Sequence, residues 1–97
     1  MTILKNANGN ETVLTLSGWL DTQTAPELEA AIGALDSSTS SLILDLKELE
    51  YISSAGLRQL VAAHKKMNGN LTIRNVSAEI MDILRMAGFD KRLHIEA

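Results

Sequence analysis

The sequence predicts an α/β domain: a small, mixed and mostly parallel β-sheet with amphipathic helices, in the order β-β-α-β-α-β-α-β. Three observations predict it. Two strand-like stretches flank Asn8-Gly9-Asn10, whose residues tolerate positive φ and favour a hairpin turn. Three later segments repeat apolar residues at helical spacing. Between those segments lie apolar runs too short to be helices. Strands alternating with one-sided helices form parallel pairs joined by right-handed crossovers.

The elements follow in order. Residues 2–6 and 11–17 are the hairpin strands, and Gly18 closes the second strand or bulges it. Thr24-Ala25-Pro26-Glu27 reads as a helix start, with Thr24 as cap, Pro26 in the first turn and Glu27 completing a capping box. Leu28, Ala31, Ile32 and Leu35 form its apolar stripe. Residues 36–40 are a polar loop, and Leu42-Ile43-Leu44-Asp45-Leu46 is a buried strand. A link runs from Lys47 to Ile52. Ser53 or Ser54 caps a second helix with the stripe Leu57, Leu60, Val61 and His64, stopped by a left-handed Gly69. Residues 71–74 are a strand. A third helix starts at Ser77 with the stripe Ile80, Ile83, Leu84 and Ala87 and ends at Gly88; residues 93–96 add a last short strand.

Ninety-seven residues make one domain, expected to span 1–97. Only Trp19, Tyr51 and Phe89 are aromatic, so the core is built from Leu, Ile, Val, Ala and Met. Trp19 is expected to be partly buried, with an exposed interface aromatic as the alternative. The absence of Cys excludes disulfides, thiolate metal sites and a Cys nucleophile. A net charge of -3 argues against nucleic-acid binding, which needs a basic patch. No apolar run approaches the length of a membrane span, and Met1-Thr2-Ile3-Leu4-Lys5 does not open a signal peptide. A cytoplasmic monomer is the expectation.

Ligands and partners of open α/β sheets meet the carboxyl ends of the strands. There the sequence delivers Trp19, Leu20, Asp21 and Thr22, then Asp45 and the segment 49–56, then Asn75 and Ser77. This edge is rich in hydroxyls and carboxylates and holds no histidine. A Ser-His-Asp triad needs a histidine beside a serine. His64 lies roughly 15 Å down the second helix from Ser54, at about 1.5 Å per residue, and His94 is near the end of the chain. No phosphate-cradling glycine motif is present, and two separate histidines make no zinc site. No catalytic residue and no metal ligand is assigned.

The informative segment is Tyr51-Ile52-Ser53-Ser54-Ala55-Gly56-Leu57. Serines at a helix start commonly serve as caps. A serine there also sits over unpaired N–H groups at the positive end of the helix dipole. The fold tolerates a phosphate at that point, whereas an interface pressed against it does not. Such a serine can switch binding without unfolding the domain.

At this segment the chain resembles the STAS family, the fold of anti-sigma factor antagonists and of the cytoplasmic domain of sulfate transporters. The resemblance covers nearly the whole chain. It includes the hairpin start, Gly18-Trp19-Leu20-Asp21 before Thr-Ala-Pro-Glu-Leu, the Leu-Ile-Leu-Asp-Leu strand and Tyr-Ile-Ser-Ser-Ala-Gly-Leu-Arg. The family's usual motif is Asp-Ser-Ser/Thr-Gly, with its first serine phosphorylated. Aligned on Gly56, that serine is Ser54; Ser53 replaces the aspartate and competes as acceptor, and Ala55 replaces the following hydroxyl. Asp21 and Asp45 match acidic positions flanking the site, and Arg58 faces outward beside it. The resemblance implies a partner interface of Asp21, Asp45, Ser53, Ala55, Gly56 and Arg58.

It further implies a partner-switching regulator with no activity and no cofactor of its own. The unphosphorylated chain would bind an anti-sigma factor with a histidine-kinase-like ATPase fold. That partner, carrying ATP and magnesium, would act as the serine kinase on Ser54 and end the binding. A serine phosphatase would restore it. Two other readings are a STAS regulator or accessory subunit in a non-sigma circuit (secretion, biofilm, stress signalling or lipid transport) and a small-ligand-binding module.

Overall fold

The computed structural model describes residues 1–96. Its elements are β1 (Thr2–Asn8), β2 (Glu11–Leu20), α1 (Ala25–Gly33), β3 (Ser41–Ile52), α2 (Ser54–Lys66), β4 (Leu71–Arg74), α3 (Ala78–Met86) and β5 (His94–Ile95). They form one five-stranded sheet in the order β1-β2-β3-β4-β5. β1 runs antiparallel to β2, and every later pair is parallel. The expected fold class and element order are both observed.

Because strand order rises by one at each crossover, right-handed connections put all three helices on one face of the sheet. Burial follows the strand period of two. Leu14, Leu44 and Ile73 are register partners on adjacent strands, and each is fully buried. Leu28 and Ile32 of α1, Leu57, Leu60 and Ala63 of α2, and Ile80 and Leu84 of α3 close over them. α1 and α2 lie side by side, where Lys66 Nζ donates to the Ile32 carbonyl at 3.1 Å. The opposite face carries the row Leu4, Thr15, Asp45 and Arg74. Among the described residues, no helix is long and apolar enough to cross a membrane.

Two local expectations are corrected. The link expected at residues 47–52 is strand: β3 continues to Ile52 beside the second half of β2, which itself reaches Leu20 rather than stopping at Ser17. Register shifts between Thr15 and Ser17 and between Gly18 and Trp19 break the alternation that marks a strand in sequence. Gly18 sits at the second shift with φ 93°, so its bulging role is the one realised. Thr24 precedes α1 as expected, but its side chain makes no cap hydrogen bond. Its backbone is already helical, at φ -98° and ψ -17°, whereas a capping side chain needs an extended backbone.

Candidate functional site

The carboxyl end of β3 feeds directly into α2, beside the carboxyl end of β2. Ser53 is extended, at φ -98° and ψ 177°, and caps the helix: its Oγ accepts from the Gly56 N–H at 3.4 Å. Its own N–H donates to the Leu20 carbonyl at 2.9 Å, and its carbonyl accepts from Leu57 N at 2.9 Å. The first turn of α2 is thereby laid on the last residues of both strands. Gly56 permits that contact. A Cβ at this position would stand 2.7 Å from Ile52 Cγ1, 2.8 Å from Leu20 Cγ and 2.9 Å from the Leu20 carbonyl oxygen.

Ser54 is the first helical residue and is exposed, while Ser53 and Ala55 are half-buried. The first turn carries no acidic side chain. Ser54 therefore presents its hydroxyl to solvent at the positive end of α2. Arg58, one turn further on, is also exposed.

Asp21 follows Leu20 and flanks the serines. Its Oδ1 accepts from Thr24 N at 3.1 Å and Gln23 N at 3.0 Å. The Thr24 N–H, aided by its hydroxyl and by the Gln23 N–H, holds the Asp21 carboxyl below the usual range despite partial desolvation. Thr24 Oγ1 accepts from Asp21 N at 2.8 Å and donates to the Trp19 carbonyl at 2.7 Å. The threonine chosen from the sequence as a helix cap thus braces the turn beside the site.

Asp45 is placed elsewhere. It lies within β3, separated from Ile52 by roughly 20 Å of strand at about 3.3 Å per residue. A strand confined to residues 42–46 would place Asp45 near its end, but β3 runs on to Ile52. Only 8% exposed, Asp45 accepts from Lys47 N at 3.0 Å, Asn75 Nδ2 at 3.1 Å and Arg74 Nε at 3.4 Å. Burial pushes its carboxyl up, but the Lys47 N–H, the Asn75 amide and Arg74 outweigh it, and the group is held below the usual range. The structure brings together Asp21, Ser53, Ser54, Ala55, Gly56 and Arg58, and leaves Asp45 outside that group.

One feature of the edge had no sequence signal beyond residue type. Trp19 and Tyr51 are register partners on β2 and β3. Their rings lie 5.2 Å apart at 48°, with 57% and 41% of the residues exposed. Of the two expectations for Trp19, the structure has the exposed aromatic rather than the partly buried one. The bulge beside Gly18 turns the ring outward while Leu20 and Ile52 fill the core. Among the described residues, no three His, Asp or Glu side chains gather as a metal site would require.

A family model described as "Mlab, STAS domain" matches residues 3–95. BtrV of Bordetella bronchiseptica is 31% identical over 81 residues, which cover 79% of this chain and 70% of that protein. The anti-sigma-B factor antagonist of Bacillus subtilis is 27% identical over 93 residues, covering 93% of this chain and 85% of the relative. The crystal structure of an anti-sigma factor antagonist from Mycobacterium paratuberculosis superposes with a TM-score of 0.87 at 28% identity. That match covers 98% of this chain and 84% of the other.

Proposed function

The chain belongs to the STAS domain family, and from that premise we propose that it is an anti-sigma factor antagonist switched by phosphorylation of Ser54. The unphosphorylated chain binds an anti-sigma factor with a histidine-kinase-like ATPase fold. That partner brings ATP and magnesium and transfers the terminal phosphoryl group to the Ser54 hydroxyl. The modified chain leaves, and a serine phosphatase returns it to the binding form. The chain is the kinase's substrate and contributes no catalytic group. The names of its relatives support the antagonist reading.

The observation that carries the proposal is the division of labour between the two serines. Ser53 is half-buried and its Oγ is engaged as the cap, so a phosphate there would break a contact worth about 1 kcal/mol. Ser54 is exposed and carries no such duty. A phosphate on it brings roughly -1.5 to -2 charges and three acceptor oxygens. The helix end favours that charge by about 0.3–1 kcal/mol, so the fold survives. A docked surface excludes water from the same spot, and an unpaired charge buried there costs several kcal/mol. About 4 kcal/mol is a thousandfold in affinity. The nucleotide phosphates of the partner add like-charge repulsion once the product forms.

The test is phosphoryl transfer with purified candidate kinases and ATP, followed by mapping of the modified residue. Phosphate on Ser54, and none on the Ser54→Ala chain, supports the proposal. Transfer to Ser53, or partners that bind the Ser54-phosphorylated chain as tightly as the unmodified one, overturns it. Stable association with a transporter ATPase instead of a kinase moves the chain to the accessory-subunit reading.

A further inference from the structure

The geometry points to a second half of the docking surface on the sheet side of the same edge. We propose that Trp19 and Tyr51 anchor the partner, and that the partner meets them with an apolar pocket rimmed by basic side chains. The inference rests on the antagonist reading and names the chemistry of that partner.

The two rings are cross-strand neighbours in contact, so each restrains the other and little rotamer freedom remains to be lost on binding. The Trp19 backbone is held in turn, because its carbonyl takes the Thr24 hydroxyl at 2.7 Å. Trp and Tyr presented this way are the residue types that dominate binding energy at interfaces. The core gains little from them, since Leu20 and Ile52, their chain neighbours, already fill the helix side. Leu4 and Met86 are also large, apolar and exposed, but they sit on β1 and α3, away from β3, which leads into Ser54, and its partner β2.

Position and charge select the occupant. Tyr51 is three residues before Ser54, a reach of at most about 11 Å, so a surface covering the serine extends naturally over the rings. Glu48 and Glu50 are exposed on the same stretch of β3, and Lys47 offsets only one of them. The Asp21 carboxylate is turned to the backbone N–H groups of its own loop. On the sheet side the exposed Lys47, Glu48 and Glu50 leave one net negative charge, while the exposed Arg58 lies beyond Ser54 on the helix side, so a partner rim that is basic toward the sheet complements this stretch. Release on phosphorylation is compatible with this arrangement. The basic rim faces Glu48 and Glu50 on the sheet side, whereas the partner's nucleotide phosphates face Ser54 at the helix end.

Trp19 is the chain's single tryptophan, so 5-fluorotryptophan labelling gives one 19F line that reports on this surface alone. The probe is the purified kinase found to phosphorylate Ser54, added with ADP. The expected result is a shifted Trp19 line that loses its H2O/D2O isotope shift. Trp19→Ala and Tyr51→Ala should each weaken binding about 30-fold or more, with unchanged far-UV circular dichroism. Glu48→Lys with Glu50→Lys should weaken binding about tenfold and flatten its salt dependence. If the kinase binds and phosphorylates Ser54 while the Trp19 line stays put and Trp19→Ala binds within twofold, this inference falls and the antagonist reading stands. If the charge reversals leave affinity and salt dependence unchanged, the basic rim is wrong. A line that shifts with the concentration of this chain alone identifies a second copy as the occupant and overturns the proposal. If no kinase modifies Ser54, the antagonist reading fails and takes the inference with it.

Discussion

Gly56 stands against the Leu20 carbonyl: a Cβ built on it would come within 2.9 Å of that oxygen and 2.8 Å of Leu20 Cγ. A backbone oxygen that also accepts the Ser53 N–H cannot move aside without unseating the start of α2. Gly56→Ala should therefore cost overpacking strain of about 1–3 kcal/mol, less the roughly 1 kcal/mol that alanine gains over glycine within a helix. A net loss of up to about 2 kcal/mol in urea melts is expected. Gly33, in the last turn of α1, has nothing within 4 Å of its would-be Cβ and is the control. Gly33→Ala should stabilise by about 0.4–1 kcal/mol. If the two substitutions behave alike, close approach is not the reason for glycine at 56.

The contact explains why the serine motif was legible in the sequence while its surroundings were not. The motif is local. A cap, a first helical residue and a glycine at fixed spacing specify the helix start by themselves, and the structure realises them at Ser53, Ser54 and Gly56. The β3 extension depends on pairing across the sheet. Leu49 and Ile52 are buried three residues apart because a shift in register lies between them, and three is not a strand period. A link over that stretch would put Asp45 at the edge, whereas its partners, Arg74 at the end of β4 and Asn75 just after it, lie 29 and 30 residues further along the chain. Thr24 carries a strong cap signal, but its hydroxyl oxygen accepts from the Asp21 N–H instead of from the helix. Helix stripes and turn glycines are encoded within a few residues; bulges and long-range polar partners are not.

The capping role of Ser53 has its own test. Ser53→Ala removes the acceptor of the Gly56 N–H and should lower stability by about 1 kcal/mol. Ser53→Asp supplies an equally good cap with a charge the helix end favours, so at neutral pH it should match or exceed the parent chain. Chemical denaturation of both variants decides it. Equal stability of Ser53→Ala and Ser53→Asp would remove the cap from the account of the site.

Asp45 sets an acid limit on stability. Its folded carboxyl is held below the ordinary range, so the folded state binds fewer protons there than the unfolded chain. The stabilisation is present above the unfolded value of about 4 and is lost as pH falls through the folded one. Asp45→Asn should cost about 1–3 kcal/mol at pH 7, through the weakened contacts with Lys47 N and Arg74. The same variant should lose less additional stability between neutral pH and pH values below about 4. A residual slope is expected, because Asp21 and Asp36 are also held low by backbone N–H donors. Melting temperature against pH for the two chains measures this. Parallel curves would show that Asp45 does not titrate differently in the fold.

Ser54 separates charge from size. Ser54→Asp places a carboxylate at the first position of α2, where the helix end favours it, so stability should stay within about 0.5 kcal/mol of the parent. Ser54→Asn has nearly the same shape without the charge. If the docked surface rejects charge, the aspartate variant should bind the kinase about a hundredfold more weakly, close to 3 kcal/mol. The asparagine variant should stay within a few-fold of the parent. Calorimetric titration of both against the same kinase distinguishes the two causes. Equal losses would mean that the surface at Ser54 excludes bulk rather than charge, and the switch would then act by steric exclusion of the phosphate.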